Sequence, residues 1–492
     1  MNESALSRRG LSASSSSPVD EILPVGQMFL YGLQHVLVMY AGAVAVPLVV
    51  GNAVGLPVEQ IILLISADLF ICGAATIIQA LGIGRWLGCR LPLVQGCTFA
   101  ALVPMILIGK EYGIGGVSGA VICAGIFTLI CAPWISRLVR FFPKVVMGSI
   151  VTLIGLSIMP VAGNWIGEGG SGQAAFGDLT SLAIAAVTLF IILNVYTFGS
   201  GMIKNIAVLI GLVSGSFIWW LFKSIDFHLV ASTSWLSFPH VMRMAKPEFH
   251  LIPVALLSVT MVVVMLETMS SIMATGDIVG KKASAETLRN GLTACGLTTT
   301  IAGLFNLFPY AAFAQNVGLI GLTGVRSRFV VAVSGLILML MGMFSKMAAL
   351  VVVIPKPVLG GAGVVMFGMV VVAGIRTLGS VNYRDNNNGM VVALTIGLGL
   401  MPVLVPHLFD QFPPMLKMFL HSGITIGTVI AILANLTLNG KGLPLLHTHQ
   451  HDSHEPDLLP SSTAARRVAV RTVRMWLLLR KVQKDESQTK SM

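Results

Sequence analysis

Apolar segments follow one another from Gly26 to Leu438 and are separated by short loops. A helix needs about 20 apolar residues to cross a bilayer. This pattern predicts about fourteen spans, at roughly 26–50, 59–83, 91–109, 114–134, 144–163, 179–198, 204–222, 251–275, 287–306, 311–323, 328–352, 357–376, 389–407 and 415–438. The third and tenth are short. The chain is therefore predicted to be an all-α polytopic membrane protein.

Polar side chains interrupt the tenth predicted span. Gln315 and Asn316 lie side by side within the otherwise apolar stretch Ala311–Gly324. Polar groups at membrane depth usually face a cavity or a partner. We interpret this stretch as a broken crossing that lines a binding site.

Five short motifs recur in the same order in the two halves of the chain. The pairs are Gly51-Asn52-Ala53-Val54-Gly55 with Gly276-Asp277-Ile278-Val279-Gly280, Cys72-Gly73 with Cys295-Gly296 (followed by Thr76 and Thr299), Leu91-Pro92 with Phe308-Pro309, Val117-Ser118-Gly119 with Val333-Ser334-Gly335, and Phe142-Pro143-Lys144 with Ile354-Pro355-Lys356. Each predicted repeat, 26–240 and 250–440, holds seven spans. Because seven is odd, the second repeat enters the membrane from the opposite side, as in secondary transporters.

Such inverted repeats place the substrate near mid-membrane, where broken helices from the two halves meet. Here these breaks are the third span, around Thr98, Phe99 and Ala100, and the tenth, around Gln315 and Asn316. Half-helices that begin there would point N–H donors and positive dipole ends at a ligand.

Loop charges predict the orientation, because cytoplasmic loops carry more Lys and Arg. With the N-terminus inside, thirteen basic residues lie in cytoplasmic loops, namely Arg85, Arg90, Arg137, Arg140, Lys144, Lys204, Lys281, Lys282, Arg289, Arg326, Arg328, Arg376 and Arg384. Seven lie outside, namely Lys110, Lys223, Arg243, Lys246, Lys346, Lys356 and Lys417. Both termini are therefore expected in the cytoplasm.

The two ends of the chain differ from the apolar body. Residues 1–25 are predicted to be a disordered cytoplasmic tail. Residues 441–492 form a second cytoplasmic tail, in which 466–484 reads as a basic amphipathic helix lying on the inner leaflet. A helix that docks a partner is the alternative. The tail histidines form a soluble cluster, with metal binding as the less favoured interpretation, at His447, His449, His451 and His454.

Composition excludes several classes of protein. The chain is 55% hydrophobic and 10% charged, which leaves no room for a large soluble domain. Its net charge of +11 is concentrated in the tail and in alternate loops, so it does not indicate nucleic-acid binding. The six cysteines lie in or next to spans, and no disulfide is expected. Enzyme and ATP-binding motifs are missing, and no metal or cofactor is predicted.

Four ionisable residues fall at membrane depth, where such groups are functional candidates by default. Glu267 is the strongest, either as an acceptor for substrate N–H groups, as a proton-binding carboxyl, or as a helix-packing group. Asp277 lies near Lys281, so an interfacial salt bridge is the alternative to a proton role. Asp68 could hold a proton or pack the core, and His35 could relay protons or support the structure.

Polar and aromatic residues at the two breaks complete the candidate site. The Gln315 amide can donate and accept hydrogen bonds at once, which suits the edge of a planar heterocycle. Asn316 could contact the ligand or lock the broken backbone. Phe99 could stack on a flat ligand or belong to the core.

The run from Gln315 to Gly324, QNVGLIGLTG, resembles the signature of the nucleobase–ascorbate transporter family, also called nucleobase:cation symporter-2. Gln34-His35 resembles that family's second motif. The resemblance covers about Gln27 to Leu438. The stretches QHVLVMYAGAVAVPL, LISADLF, TFAALVPM and VLGGAGVVMFGM are most similar to the bacterial urate/xanthine permease branch.

The resemblance implies fourteen spans in two inverted repeats, with a core domain at about 26–134 and 251–352 and a gate domain at about 144–222 and 357–438. It also implies a homodimer. The substrate would lie between the third and tenth spans, with Glu267 hydrogen-bonding the base. The residues implied to complete or shape the site are Thr98, Phe99, Ala100, His35, Gln315, Asn316, Gly318 and Thr323. Gln at position 315 is implied to favour purines.

This chain departs from the family pattern at two positions. Many bacterial purine members carry a carboxylate where this chain has Cys295, and the family position that is often Asp is Ser271 here. Proton coupling then depends on Glu267, with His35, Asp68 or Asp277 as accessories. Sodium coupling, altered specificity and weak activity are the alternatives.

The sequence thus predicts a proton-coupled importer of urate, xanthine or both in a bacterial inner membrane. Another nucleobase permease of this family, such as one for uracil, is an alternative. A related anion transporter is a second, although neither break carries a basic residue. A sensor would need a signalling domain, and an enzyme would need a nucleophile or metal constellation at membrane depth.

Overall fold

The computed structural model describes residues 17–138, 143–168, 176–223, 225, 227–384 and 387–439. The predicted amphipathic helix at 466–484 and the tail histidines lie outside the described residues. Within the described ranges the chain is helical, with a single two-stranded sheet.

The helices of the first half alternate with short connections. They are α1 (Val25–Val54), α2 (Val58–Leu81), α3 (Leu102–Leu138), α4 (Lys144–Ile166), α5 (Leu179–Phe198), α6 (Met202–Asn205), α7 (Ala207–Phe222) and α8 (His228–Ser232). Strand β1 (Gln95–Cys97) and a 3-10 turn (Phe99–Ala101) precede α3.

The second half has the same alternation of long helices, one strand and short helices. Its helices are α9 (Leu251–Val279), α10 (Ala285–Leu304), α11 (Ala314–Thr323), α12 (Arg328–Met343), α13 (Ser345–Val352), α14 (Lys356–Leu378), α15 (Asn387–Leu404), α16 (Pro414–His421) and α17 (Gly423–Asn439). Strand β2 (Tyr310–Ala312) directly precedes α11.

Eight of the described helices are long and apolar enough to cross a membrane, and the bent pair α12–α13 would make a ninth. Every predicted span has a helical counterpart, although several counterparts are short or broken. The polytopic helical prediction is therefore confirmed. The count of fourteen crossings stays a prediction.

Two spans that the hydropathy pattern predicts as continuous are broken. The axis bends by 77° between α12 and α13, where the Lys346 ammonium donates to the carbonyls of Val230 and Ala231. The second break separates α16 from α17 at Ser422, whose hydroxyl accepts the Thr425 N–H. Side-chain caps of this kind start a new helix, and hydropathy cannot detect them.

Conversely, one helix covers two predicted spans. The α3 segment runs through the predicted third and fourth spans and is broken only by the non-helical backbone of Gly113, at φ 66° and ψ −174°. A φ of this sign is open mainly to glycine. Gly113 therefore marks the turn that the hydropathy pattern placed between 109 and 114.

The last part of the predicted N-terminal tail is ordered. Pro18–Asp20 forms a 3-10 turn in which Val19 is fully buried. The Asp20 carboxylate lies 2.7 Å from the Arg328 guanidinium, and the Ser327 hydroxyl donates to the Glu21 carbonyl. The prediction of disorder through residue 25 is thus wrong for this segment, because Val19 joins a buried apolar cluster and Asp20 pairs with Arg328 at the start of α12.

Glycines bring three pairs of helices into close contact. A Cβ added to Gly73 of α2 would lie 2.3 Å from the carbonyl oxygen of Gly335 in α12. Gly125 of α3 contacts α10 equally closely, and Gly155 of α4 contacts α14. Helices in membranes associate through such small residues, because they let the backbones approach. These contacts join helices of the first half of the chain to helices of the second half.

Candidate functional site

The two predicted breaks meet in a short antiparallel sheet. Strand β1 pairs with β2 so that Gly96 is opposite Ala311. The Thr98 N–H donates to the Pro309 carbonyl and the Phe313 N–H to the Val94 carbonyl, both at 3.0 Å. The 3-10 turn leading into α3 and the helix α11 therefore start from one place and run in opposite directions. Their N-terminal N–H groups and positive dipole ends lie at this sheet.

Helix α9 holds both breaks through two adjacent residues. The Thr98 hydroxyl donates to Glu267 Oε2 at 3.2 Å and accepts the Ala100 N–H at 3.1 Å. The neighbouring Thr268 hydroxyl accepts the Ala312 N–H at 3.4 Å. Two neighbouring residues of α9 thus hydrogen-bond the two broken segments, Glu267 the first and Thr268 the second.

Glu267 is half-buried and has one protein partner. Among the described residues, only the Thr98 hydroxyl hydrogen-bonds its carboxylate, and no ion pair joins it to a basic side chain. A buried carboxylate without compensation is costly. A ligand N–H group or a proton would supply that compensation.

Aromatic side chains of both breaks pack against neighbouring helices. The Phe99 ring meets the Phe367 ring of α14 edge to face, with centroids 5.7 Å apart, and Phe367 in turn contacts Trp165 of α4. A Cβ added to Gly42 of α1 would lie 3.0 Å from the Phe313 ring and 4.0 Å from the Phe99 ring. The rings of both breaks therefore converge on a helix position that has no side chain.

One side of α11 is locked and the other is open. The buried Asn316 amide donates to the His35 carbonyl at 2.9 Å and lies 3.1 Å from His35 Nδ1. These contacts support the structural interpretation of Asn316 and His35, because they fasten α11 to α1. Gly318, on another face, is exposed, and an added Cβ would meet nothing within 4 Å.

The other two signature residues of α11 differ in their contacts. Gln315 is half-buried and makes no hydrogen bond within the described part of the chain, so its amide is available to a ligand. Thr323 donates to the Leu319 carbonyl and accepts the Val325 N–H. It therefore shapes the end of α11, just before the left-handed Gly324.

Asp68 has the contacts of a packing group. It is fully buried, and its Oδ1 accepts hydrogen bonds from the Tyr310 hydroxyl at 2.6 Å and the Cys97 thiol at 2.7 Å. The Cys72 thiol lies 3.6 Å from Oδ2. Because Cys97 belongs to β1 and Tyr310 to β2, this one carboxylate ties both strands to α2.

The remaining candidates do not lie at the junction of the breaks. Asp277 is exposed at the end of α9, and no ion pair with Lys281 forms among the described residues, contrary to the salt-bridge alternative. Cys295, at the position of the family carboxylate, donates its thiol to the Tyr310 carbonyl at 2.9 Å. Ser271 is buried in α9.

Sequence reasoning missed the threonines that hold the strands. The Thr76 hydroxyl bonds both the N–H and the carbonyl of Gln95, and the Thr299 hydroxyl accepts the Tyr310 N–H at 3.1 Å. Both follow the repeated Cys-Gly pairs by the same spacing. That recurrence was visible in the sequence as a repeat, but nothing in it specified a strand as the partner.

Comparisons with known proteins agree with the motifs. The model of a family described as the Permease family matches residues 26–408. The chain is 43% identical to the uric acid transporter UacT of Escherichia coli, over 95% of each chain. It is 42% identical to the xanthine permease of Bacillus subtilis, over 84% of this chain and 94% of that one.

A solved structure shares the fold at low identity. The transmembrane domain of the cyanobacterial bicarbonate transporter BicA aligns with a TM-score of 0.53 and 14% identity, over 84% of this chain and 98% of that one. With a family model matched from residue 26 to 408 and relatives of 42% and 43% identity, the chain belongs to the permease family of nucleobase:cation symporters-2 and is a transporter rather than an enzyme.

Proposed function

We propose that the chain imports urate, xanthine or both across a bacterial inner membrane by proton symport, with both termini in the cytoplasm. Two relatives named for uric acid and xanthine transport match it over most of their length. The observation that carries the proposal is the Glu267 carboxylate, held between the two breaks by the Thr98 hydroxyl.

The chemistry of this site suits a purine. The carboxylate of Glu267 accepts ring N–H groups, and the Gln315 amide offers both a donor and an acceptor to the opposite edge. The Phe99 ring provides a flat apolar surface. The backbone near Ala100 and Gly318 completes the proposed binding region.

Glu267 is also the proposed proton carrier. Two of the other candidates are engaged elsewhere: Asp68 accepts hydrogen bonds from three side chains, and His35 contacts Asn316. The third, Asp277, is exposed at the end of α9. Binding of a proton together with the base would change the affinity of the site between the two faces of the membrane. The proton gradient would then drive accumulation.

The proposed cycle uses two inverted repeats of seven spans, in which a core domain moves against a gate domain within each subunit of a homodimer. Two of the glycine contacts support the repeat. The repeated motifs Cys72-Gly73 and Cys295-Gly296 make α2 the counterpart of α10, and Val117-Ser118-Gly119 and Val333-Ser334-Gly335 make α3 the counterpart of α12. The α2–α12 contact in one half of the repeat therefore corresponds to the α10–α3 contact in the other.

Uptake of radiolabelled urate and xanthine into proteoliposomes tests this function. A proton gradient should drive accumulation, and a protonophore should abolish it. Glu267→Gln should weaken transport by about 10- to 100-fold, because a hydrogen bond to a charged group contributes about 1.5–3 kcal/mol. Glu248→Gln, at an exposed loop carboxylate, is the matched control and should transport normally.

Three outcomes would contradict the proposal. Uphill accumulation by Glu267→Gln at the native rate would remove this residue from coupling. Uptake driven by a sodium gradient in the absence of a proton gradient would show that sodium, and not the proton, is the coupling ion. Competition by uracil or ascorbate at the level of urate would change the assigned substrate class.

An anion transporter is the second candidate, because BicA shares the fold. The breaks at 95–101 and 310–323 contain no Lys or Arg, and a basic residue there would favour an anion. Bicarbonate in the competition assay distinguishes the two functions.

A further inference from the structure

A basic cavity lies at the end of the molecule where α2 finishes and α10 begins, away from the junction of the breaks. Its volume is about 210 Å³. The side chains that define it are Arg85, Arg90, Lys281, Glu286, Thr287 and Asn290. None of these residues belongs to the proposed purine site.

The walls of this cavity are held by hydrogen bonds. The Gly88 N–H donates to the Asn290 carbonyl at 3.0 Å, and the Asn290 amide donates to the Arg85 carbonyl at 2.9 Å. Arg90 donates its backbone N–H to the Gln79 carbonyl and its guanidinium to the Gly84 carbonyl at 2.6 Å. The loop between α2 and β1 is thereby fixed against α10.

Positive charge in this cavity is largely uncompensated. Within the described ranges, no carboxylate lies at ion-pair distance from Arg85, Arg90 or Lys281. Glu286 is the only carboxylate among the described residues that line the cavity, and it lies 3.8 Å from Arg289. The first turn of α10 adds its positive dipole end. The cavity therefore favours an anion.

The surroundings of the cavity place it at a membrane surface. Trp86 is 67% exposed and Ile83 is 55% exposed in the same loop, and the Arg289 guanidinium stacks on the Trp86 ring at 5.0 Å. Exposed tryptophan is typical of the headgroup region. An apolar side chain exposed there is suited to contact acyl chains.

We propose that the basic cavity binds the phosphate group of an anionic phospholipid. Guanidinium groups match phosphate oxygens in geometry and charge, while the Thr287 hydroxyl and Lys281 ammonium provide further donors. Trp86 and Ile83 would contact the glycerol and acyl regions of a lipid whose phosphate occupies the cavity. A soluble phosphate would use the cations but not these two exposed side chains.

Native mass spectrometry of the full chain in neutral detergent, titrated with phosphatidylglycerol, tests the proposal. The double variant Arg85→Gln/Lys281→Gln should bind the lipid about 25-fold more weakly, since one basic side chain near an anionic group contributes about a factor of five. Lys282→Gln removes one positive charge next to Lys281, at an exposed position outside the cavity, and should bind as the native chain does.

A variant of opposite sign keeps the test decisive if the double variant fails to fold. Glu286→Gln should bind phosphatidylglycerol about five-fold more tightly, because that lining carboxylate is removed. Equal binding by the native chain, the double variant and Glu286→Gln would overturn the proposal. Binding of inorganic phosphate in place of phosphatidylglycerol would also overturn it, because the occupant would then be soluble.

Discussion

At the scale of single residues, the Thr98 hydroxyl links the backbone of one break to the carboxylate of the site. It accepts the Ala100 N–H and donates to Glu267 at the same time. Because one hydroxyl makes both hydrogen bonds, it holds the Glu267 carboxylate at the start of the turn that leads into α3. A residue that the family resemblance implies in the site is thus also the cap of the turn that leads into α3.

Asp68 illustrates how a buried carboxylate can be structural. Its oxygens bind the Tyr310 hydroxyl and the Cys97 thiol, which belong to different strands. We therefore assign Asp68 to holding the two strands against α2, and ligand binding by Glu267 stays a proposal.

The variant Tyr310→Phe tests this assignment. It removes one donor from a buried carboxylate and should lower the free energy of unfolding by about 1–3 kcal/mol, measured as a lower thermal midpoint in detergent. The ratio of protons to substrate transported should stay unchanged. Tyr31→Phe, at a half-buried tyrosine of α1, is the control and should alter stability by less than about 0.5 kcal/mol.

The opposite result would move Asp68 into the coupling mechanism. An unchanged midpoint together with an altered proton ratio in Tyr310→Phe would mean that the hydroxyl tunes a transported proton instead of holding the strands.

At the scale of elements, one repeated motif has one structural role. The Gly55 N–H bonds the Asn52 carbonyl and the Leu56 N–H bonds the Gly51 carbonyl. The Gly280 and Lys281 N–H groups bond Asp277 and Gly276 in the same way. Both glycines have φ near 77°, so the repeated motif is a left-handed helix end. This accounts for Asp277 as an exposed residue at a helix terminus.

Helix contacts at glycine give a prediction at this scale. Gly73→Val should destabilise the protein by about 1–3 kcal/mol through overpacking, because the new side chain would collide with the Gly335 carbonyl. Thermal unfolding in detergent measures the effect.

Gly397→Val in α15 is the matched control, since an added Cβ there meets nothing within 4 Å. Equal loss of stability in the two variants would show that helix propensity, rather than the α2–α12 contact, explains the effect of Gly73→Val.

At the scale of the whole molecule, the repeat and the loop charges make a topology prediction. A cysteine replacing Asn52 should react with a membrane-impermeant maleimide added to intact cells, because the first loop is predicted outside. A cysteine replacing Arg384 should react only after the membrane is opened. Both positions are exposed.

If the cysteine at position 384 reacted in intact cells and the cysteine at position 52 did not, the orientation in the membrane would be the reverse of the predicted one. Labelling of both cysteines in intact cells would contradict an odd number of spans between the two sites and, with it, the inverted repeat.

The sequence by itself determined the helical membrane class, the two breaks and the family. Hydropathy, glycine and proline positions and the Gln315–Gly324 motif act locally, so they can be read without knowing which segments meet. For the same reason the sequence could place Glu267, Gln315 and Phe99 in one region only through the repeat and the resemblance.

The tertiary structure alone decided which partners these residues have. The Thr98–Glu267 bond joins residues 169 positions apart, and the Tyr310–Asp68 bond joins residues 242 apart. The bends at Phe344 and Ser422, and the ordered turn at Pro18–Asp20, likewise depend on distant contacts or on side-chain caps. Hydropathy measures the cost of exposing a segment to water, and it contains no term for the partner that a buried polar group will find.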